Sequence, residues 1–180
     1  MNKKNITKWF SMLLLTAASA TTAQAAVEWQ LTDPGQLATG DVVVIVDTNT
    51  GTAMSHSSLN NSQAPSAVAV TLSDTGEQLY DLAEGLDWEV TVANGSYQFN
   101  VPETENYLYA ISNNNGLRIG NGDANTFTIY DNEGVNFLYN EGQSRYIGVY
   151  NSQDWRCYTS IINNIAATRT AFFKKTEVRR

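Results

Sequence analysis

The densest run of side chains able to hold a ligand is Tyr150-Asn151-Ser152-Gln153-Asp154-Trp155-Arg156. An aromatic ring can cover the apolar face of a pyranose, while amides, a carboxylate and a guanidinium bond its hydroxyls in a fixed fan. The chemistry this mixture suits is sugar binding. A plainer version, Ser112-Asn113-Asn114-Asn115-Gly116 with Tyr109 and Arg118, precedes it. The candidate ligand-binding residues are therefore Tyr150, Asn151, Gln153, Asp154, Trp155, Arg156, Asn113 and Asn114. Trp155 has two readings, a core residue or an exposed platform, and large aromatics are mostly buried. Tyr150 and Tyr158 share the core reading, and Asn/Gly/Ser loops also make good turns.

Catalytic and metal chemistry finds less material. His56 is the only histidine, so a multi-histidine metal site is excluded and a Ser-His-Asp set could form only around it. It lies in Ser55-His56-Ser57-Ser58 beside a polar loop and reads as a solvated side chain. Asp87 with Glu89, or Glu103 with Glu105, could do glycosidase work only across a cleft of defined width. Asn121, Asp123 and Asn125 alternate like the first ligands of a calcium loop, but Thr126 and Asn132 stand where Gly and Glu are required. This segment reads as a polar hairpin loop. No cofactor and no catalytic residue is expected. Cys157, the only cysteine, rules out an intrachain disulfide and reads as a small buried apolar group.

The elements that must position these residues are strands. Val42 to Val46 is a continuous β-branched run, expected of a strand buried on both faces. Val68 to Leu72, Trp88 to Val92, Tyr97 to Val101, Phe127 to Tyr130 and Val135 to Tyr139 continue the pattern. Asn94-Gly95, Asn115-Gly116, Asn121-Gly122, Glu133-Gly134 and Glu141-Gly142 mark turns between strands. Glu77 to Leu86 has room for one or two helical turns and nothing longer.

A spacing of 39 residues then selects among all-β folds. It relates Trp88 to Phe127, Gly95 to Gly134, Tyr107-Leu108 to Tyr146-Ile147, and Ala110 to Val149. A fixed period of this size is one supersecondary unit copied. Counting the same steps from Gly40 reaches Thr52-Ala53, which predicts a diverged first copy, and Phe172-Phe173 closes the third. The first copy carries an Asn/Ser/Pro-rich insertion, Leu59 to Ser66, that reads as a surface loop. Three copies of about 40–50 residues with four short strands each predict a β-trefoil-like domain; a β-sandwich or another small barrel is the alternative. Gln153-Asp-Trp155 spells the Gln-x-Trp signature of ricin-type trefoils but precedes the last strands of its copy, where that motif does not belong.

The N-terminus has a basic start (Lys3, Lys4, Lys8), the apolar run Trp9 to Ala18, and Ala23-Gln24-Ala25 as a cleavage site. It reads as a signal peptide over residues 1–25, leaving one domain over 26–176 and a tail at 177–180. The expected location is secreted or periplasmic. From Ala26 on the formal charge is −10, with no Lys or Arg between Ala26 and Leu117. That argues against a nucleic-acid groove and against binding to an anionic membrane surface.

Tyr107-Leu-Tyr-Ala110, Asn114-Asn-Gly-Leu117, Arg145-Tyr-Ile-Gly-Val-Tyr-Asn151, Trp155-Arg-Cys-Tyr158 and Ala171-Phe-Phe-Lys-Lys175 together resemble a module of secreted Bacteroidetes proteins. Such modules usually read Leu-Arg-Tyr-Asn where this chain has Gly148-Val-Tyr-Asn151. The resemblance implies a noncatalytic accessory domain and hands over no catalytic residues. The expected activity is binding, by a monomer, of carbohydrate or of another extracellular protein, as a protease inhibitor or adhesin component would. A hydrolase using the acids is a further alternative.

Overall fold

The computed structural model describes residues 26–57 and 63–178. Residues 1–25, on which the signal-peptide expectation falls, residues 58–62 and residues 179–180 lie outside them. The described chain is built from strands, with one 3-10 turn at Pro34–Gln36. An outer strand, β1 (Ala26–Thr32), comes first. The first copy then runs through β2 (Val42–Asp47), β3 (Thr52–Met54), β4 (Ala67–Ala69), the inserted β5 (Thr71–Leu72) and β6 (Gln78–Tyr80), and β7 (Asp87–Ala93). The second comprises β8 (Ser96–Asn100), β9 (Tyr107–Ala110), β10 (Leu117–Gly120) and β11 (Phe127–Asn132). The third comprises β12 (Val135–Asn140), β13 (Arg145–Tyr150), β14 (Asp154–Tyr158) and β15 (Thr170–Val178). All ladders are antiparallel.

Each copy repeats one pairing scheme. Its first strand pairs with its second, and the second and third form a hairpin: β3–β4, β9–β10 and β13–β14. First and fourth strands pair in the order β12, β11, β8, β7, β2, β15 and curl into a barrel in which β15 returns beside β12 without a ladder among the described residues. Two-residue turns join consecutive copies. Asn94-Gly95 and Glu133-Gly134 both have φ near +50° to +90°, the left-handed geometry that matches strand twist.

Trp88 and Phe127, which carry the 39-residue spacing, and Phe172, which closes the third copy, belong to one core cluster. Trp88, Phe127 and Phe172 are buried, one from the last strand of each copy. Phe99 stacks on Phe172 at 6.1 Å and meets Phe127 at 6.0 Å. The first copy is out of phase by one residue. Ile45, Phe99 and Leu138 face the core, and so do Met54, Leu108 and Ile147, each nine residues after its partner. Counting from Gly40 instead selects Ala53, which packs into a different cluster. The correction follows from the period of two, since a one-residue slip turns a strand over.

β2 is buried on both faces, as its sequence predicts. Val43 and Ile45 enter the barrel, while Val44 and Val46 pack outward with Leu79, Leu86 and Phe173. The outer cover is the sheet β15–β1–β6–β5, joined through Leu31↔Phe173, Trp29↔Leu79 and Leu72↔Leu79. Three expectations change here. Val68 to Leu72 is broken into two strands at Val70, whose N–H donates to the Gly51 carbonyl. Glu77 to Leu86 forms β6 and turns instead of helix. Glu177 and Val178 pair with Val27 and Ala26, so the tail does not begin at 177.

Candidate functional site

β13 and β14 face one another through Tyr150↔Asp154, Val149↔Trp155, Gly148↔Arg156 and Ile147↔Cys157. Strand alternation sends Trp155 and Cys157 inward and Asp154 and Arg156 outward. Trp155 is 0 % exposed, which removes it as a ligand platform: it fills in the third copy the place Leu117 fills in the second. Cys157 likewise takes the place of Ile119 and is buried. Burial pushes its thiol pKa up, against smaller opposing effects of a Gly116 backbone hydrogen bond, Arg145 and Arg118. On the outer face Arg156 grips Asp154 with two hydrogen bonds of 2.6 and 3.2 Å and lies 4.0 Å over the Tyr150 ring. Asp154 and Arg156 thus neutralise each other, and the guanidinium covers the ring face that a sugar would need.

The turn Asn151-Ser152-Gln153 remains. Asn151 and Ser152 are exposed, both held at positive φ (49° and 54°). The Gln153 carbonyl is fixed by the Ala67 N–H, and the Trp155 N–H donates to Pro65. The described end of the insertion is therefore bonded to β14 rather than free. Asn113 and Asn114 belong elsewhere. Asn114 accepts from Arg145 at 3.2 Å and the Asn113 carbonyl accepts from the Cys157 thiol at 3.3 Å, at the opposite end of β13 from the turn. Five residues of strand separate Arg145 from Tyr150, about 16 Å.

Other residues gather at the turn. Asn151 and Ser152 share a cleft of about 200 Å³ with Asn49 and Thr50 from the β2–β3 turn and Asn163 and Asn164 from the loop before β15. Val149 and Ala167 supply its apolar floor. None of the four asparagine side chains bonds another side chain among the described residues. Asp47 fixes the walls from behind. It is 1 % exposed, its Oδ1 accepts from the N–H groups of Asn49 (3.1 Å) and Arg169 (2.8 Å), and its Oδ2 accepts from the Thr50 hydroxyl (2.7 Å). Thr168 adds a second tie by accepting from the Val149 N–H at 3.0 Å. Sequence reading missed Asp47, Asn49, Asn163 and Asn164. The available signal was Asp47-Thr-Asn-Thr-Gly51, the pattern of an Asp side chain that bonds the backbone two residues on.

The remaining candidates serve structure. His56 is half-buried rather than solvated: its Nε2 lies 3.4 Å from Asp87 Oδ1, and its ring meets Trp88 edge-on at 5.3 Å. Ser55 and Ser57 bond each other through their hydroxyls at 2.6 Å, and no serine contact to the imidazole is present among the described residues. Asn125 turns its amide onto the Gly122 carbonyl at 3.1 Å, and no group of three His, Cys, Asp or Glu side chains placed to hold a metal occurs among the described residues.

No protein-family model and no curated protein matches the chain. Solved structures do. The BEL beta-trefoil in its apo form is similar over 79 % of this chain and 98 % of its own, at TM-score 0.55 and 11 % identity. The chain is a β-trefoil. SeviL bound to asialo-GM1 saccharide is similar over 75 % of this chain and 97 % of its own, at TM-score 0.53 and 10 % identity. The cytolethal distending toxin of Actinobacillus actinomycetemcomitans follows, with 77 % and 93 % covered, TM-score 0.53 and 12 % identity. At these identities the likeness concerns the fold.

Proposed function

We propose that this trefoil is an exported, noncatalytic, monomeric carbohydrate-binding module, and that the cleft at Asn151 holds the sugar. One observation carries the reading: four asparagines from three separate loops line one cleft, and none of their side chains bonds another side chain among the described residues. Each amide offers a donor pair and an acceptor, which matches the mixed character of sugar hydroxyls. Asp47 holds two of the three loops together before any ligand arrives, so little ordering is left to oppose binding. SeviL, similar in fold, binds a saccharide. The cleft is shallow and open, which suits affinities of millimolar to micromolar, about 4–8 kcal/mol.

A glycan array on the protein from Ala26 onward tests the reading. Retention of at least one glycan is expected, and Asn151→Ala with Asn163→Ala should weaken it about tenfold, near the worth of one or two hydrogen bonds. An array without hits would sink the proposal. Export rests on the leader pattern of residues 1–25, and sequencing of the released protein should begin at Ala26. The competing reading is a protein-interaction module. Tyr130, 41 % exposed, meets Tyr146 at 5.0 Å, and Tyr146 meets Tyr139 at 4.8 Å, an outward aromatic cluster of the kind interfaces use. Capture of a protein that Tyr130→Ala releases, with no glycan bound, would favour it.

A further inference from the structure

The barrel is open along one seam. β15 pairs with β2 along Thr170–Lys174 on one edge and with β1 along Phe172–Val178 on the other. β12 runs past the start of β15, yet no ladder joins them among the described residues. Chain entering from β1 reaches the gap at Thr32 and turns away through Asp33-Pro34. What remains between the strands is a cleft of about 300 Å³.

Its lining combines two kinds of surface. Leu31, 48 % exposed, Pro34 and the buried Phe172 offer an apolar side. Asp33, Asn136 and Thr170 offer polar groups. Asp33 spends Oδ1 on the Gly35 N–H at 2.8 Å, which leaves Oδ2 for the cleft. Thr170 is only 7 % exposed, and its hydroxyl is buried without a hydrogen-bond partner among the described residues. A buried hydroxyl left unpaired costs stability, so native structures retain one where something else satisfies it. Neither Lys nor Arg lines the cleft.

We propose that the seam is a second saccharide subsite, which takes the ring of a neutral pyranose. This rests on the carbohydrate reading above. The apolar face of the ring would lie against Leu31 and Pro34, and hydroxyls would bond Thr170 Oγ1, the Asn136 amide and Asp33 Oδ2. The Asp33 carboxylate and the lack of a lining cation select against acidic sugars such as sialic acid. The subsite shares no lining residue with the turn cleft at Asn151 but adjoins it, since Thr170 pairs with Asp47 of that cleft, so one extended glycan could engage both.

The test is titration of isotope-labelled protein with methyl β-galactoside, methyl α-mannoside and methyl N-acetylglucosaminide, each read by amide chemical shifts, with sialic acid as the charged control. At least one neutral glycoside should move the Asn136 side-chain amide and the Ala171 N–H saturably, and sialic acid should move neither. Thr170→Val keeps shape and removes the hydroxyl. It should weaken the seam response about tenfold, leave the glycoside response at Asn151 in place, and unfold at the same or a higher denaturant concentration than the parent. Asn136→Ala, farther from the core, should weaken the same response. Shifts confined to the Asn151 cleft, or a seam response indifferent to both variants, would overturn the subsite and leave the module a sugar binder. Silence at both places would overturn the carbohydrate reading with it.

Discussion

At the scale of single residues, position in the pleat decides what a side chain can do. Trp155 and Arg156 are neighbours in sequence, yet one fills the core and the other covers a tyrosine on the surface. The residues able to bind ligand are those the pleat leaves unengaged, and Asp47 is what holds them in place. Asp47→Ala would remove three hydrogen bonds, those from the Asn49 and Arg169 N–H groups and the Thr50 hydroxyl, at about 0.5–1.5 kcal/mol each. A loss of at least 2 kcal/mol is expected in denaturant unfolding, with weaker glycan retention alongside. Asn49→Ala, at an exposed position, should change stability by less than about 0.5 kcal/mol and lower retention only. Equal losses in both variants would refute the role assigned to Asp47. Sequence alone showed the Tyr150–Arg156 segment as a polar concentration. It could not show that Arg156 and Asp154 would bond each other, because that depends on which face they share.

At the scale of elements, turns and barrel strands were legible and the outer layer was not. Gly95 and Gly134 announced their turns because only a residue without Cβ adopts such φ values freely. The run Val42 to Val46 showed its two buried faces through an unbroken apolar pattern. β5 and β6, of two and three residues, are too short for any periodicity to register. The loop before β15 depends on Gly148, whose missing side chain is a packing requirement. A Cβ there would stand 2.6 Å from Ile165 Cβ and 2.7 Å from Thr168 Oγ1. Gly148→Ala should therefore lift the loop that carries Asn163 and Asn164, costing about 1–3 kcal/mol as an overpacked core does and opening the cleft. Faster hydrogen exchange at Val149, whose N–H bonds Thr168, would report the displacement. Unchanged exchange would show that the loop accommodates a methyl group.

At the scale of the whole molecule, three copies of one unit must close on each other, and the ends of the chain do the closing. The 39-residue echo gave the architecture because each copy contributes an aromatic residue from its last strand to one core. It was silent about β1, which has no counterpart in the other copies. Closure also has an electrostatic element: Lys174 of β15 bonds Asp41, in the turn before β2, at 2.8 Å. Burial alone would raise the Asp41 pKa. The hydrogen bond from Lys174, the Ala38 N–H and the Lys174 charge outweigh it and hold the carboxyl below its ordinary value. A carboxyl with a lower pKa in the folded state stabilises the fold above its unfolded pKa, about 3.9, and that stability is lost as pH falls through the folded value. Denaturant midpoints measured from pH 6 to pH 2 should accordingly drop below about pH 4. Lys174→Met should lower the midpoint at pH 6 and flatten that part of the acid limb, since the carboxyl then titrates nearer its unfolded value. If the variant's acid limb ran parallel to the parent's, Asp41 and Lys174 would be packed side by side without coupling, and the junction of β15 with β2 would rest on its ladder alone.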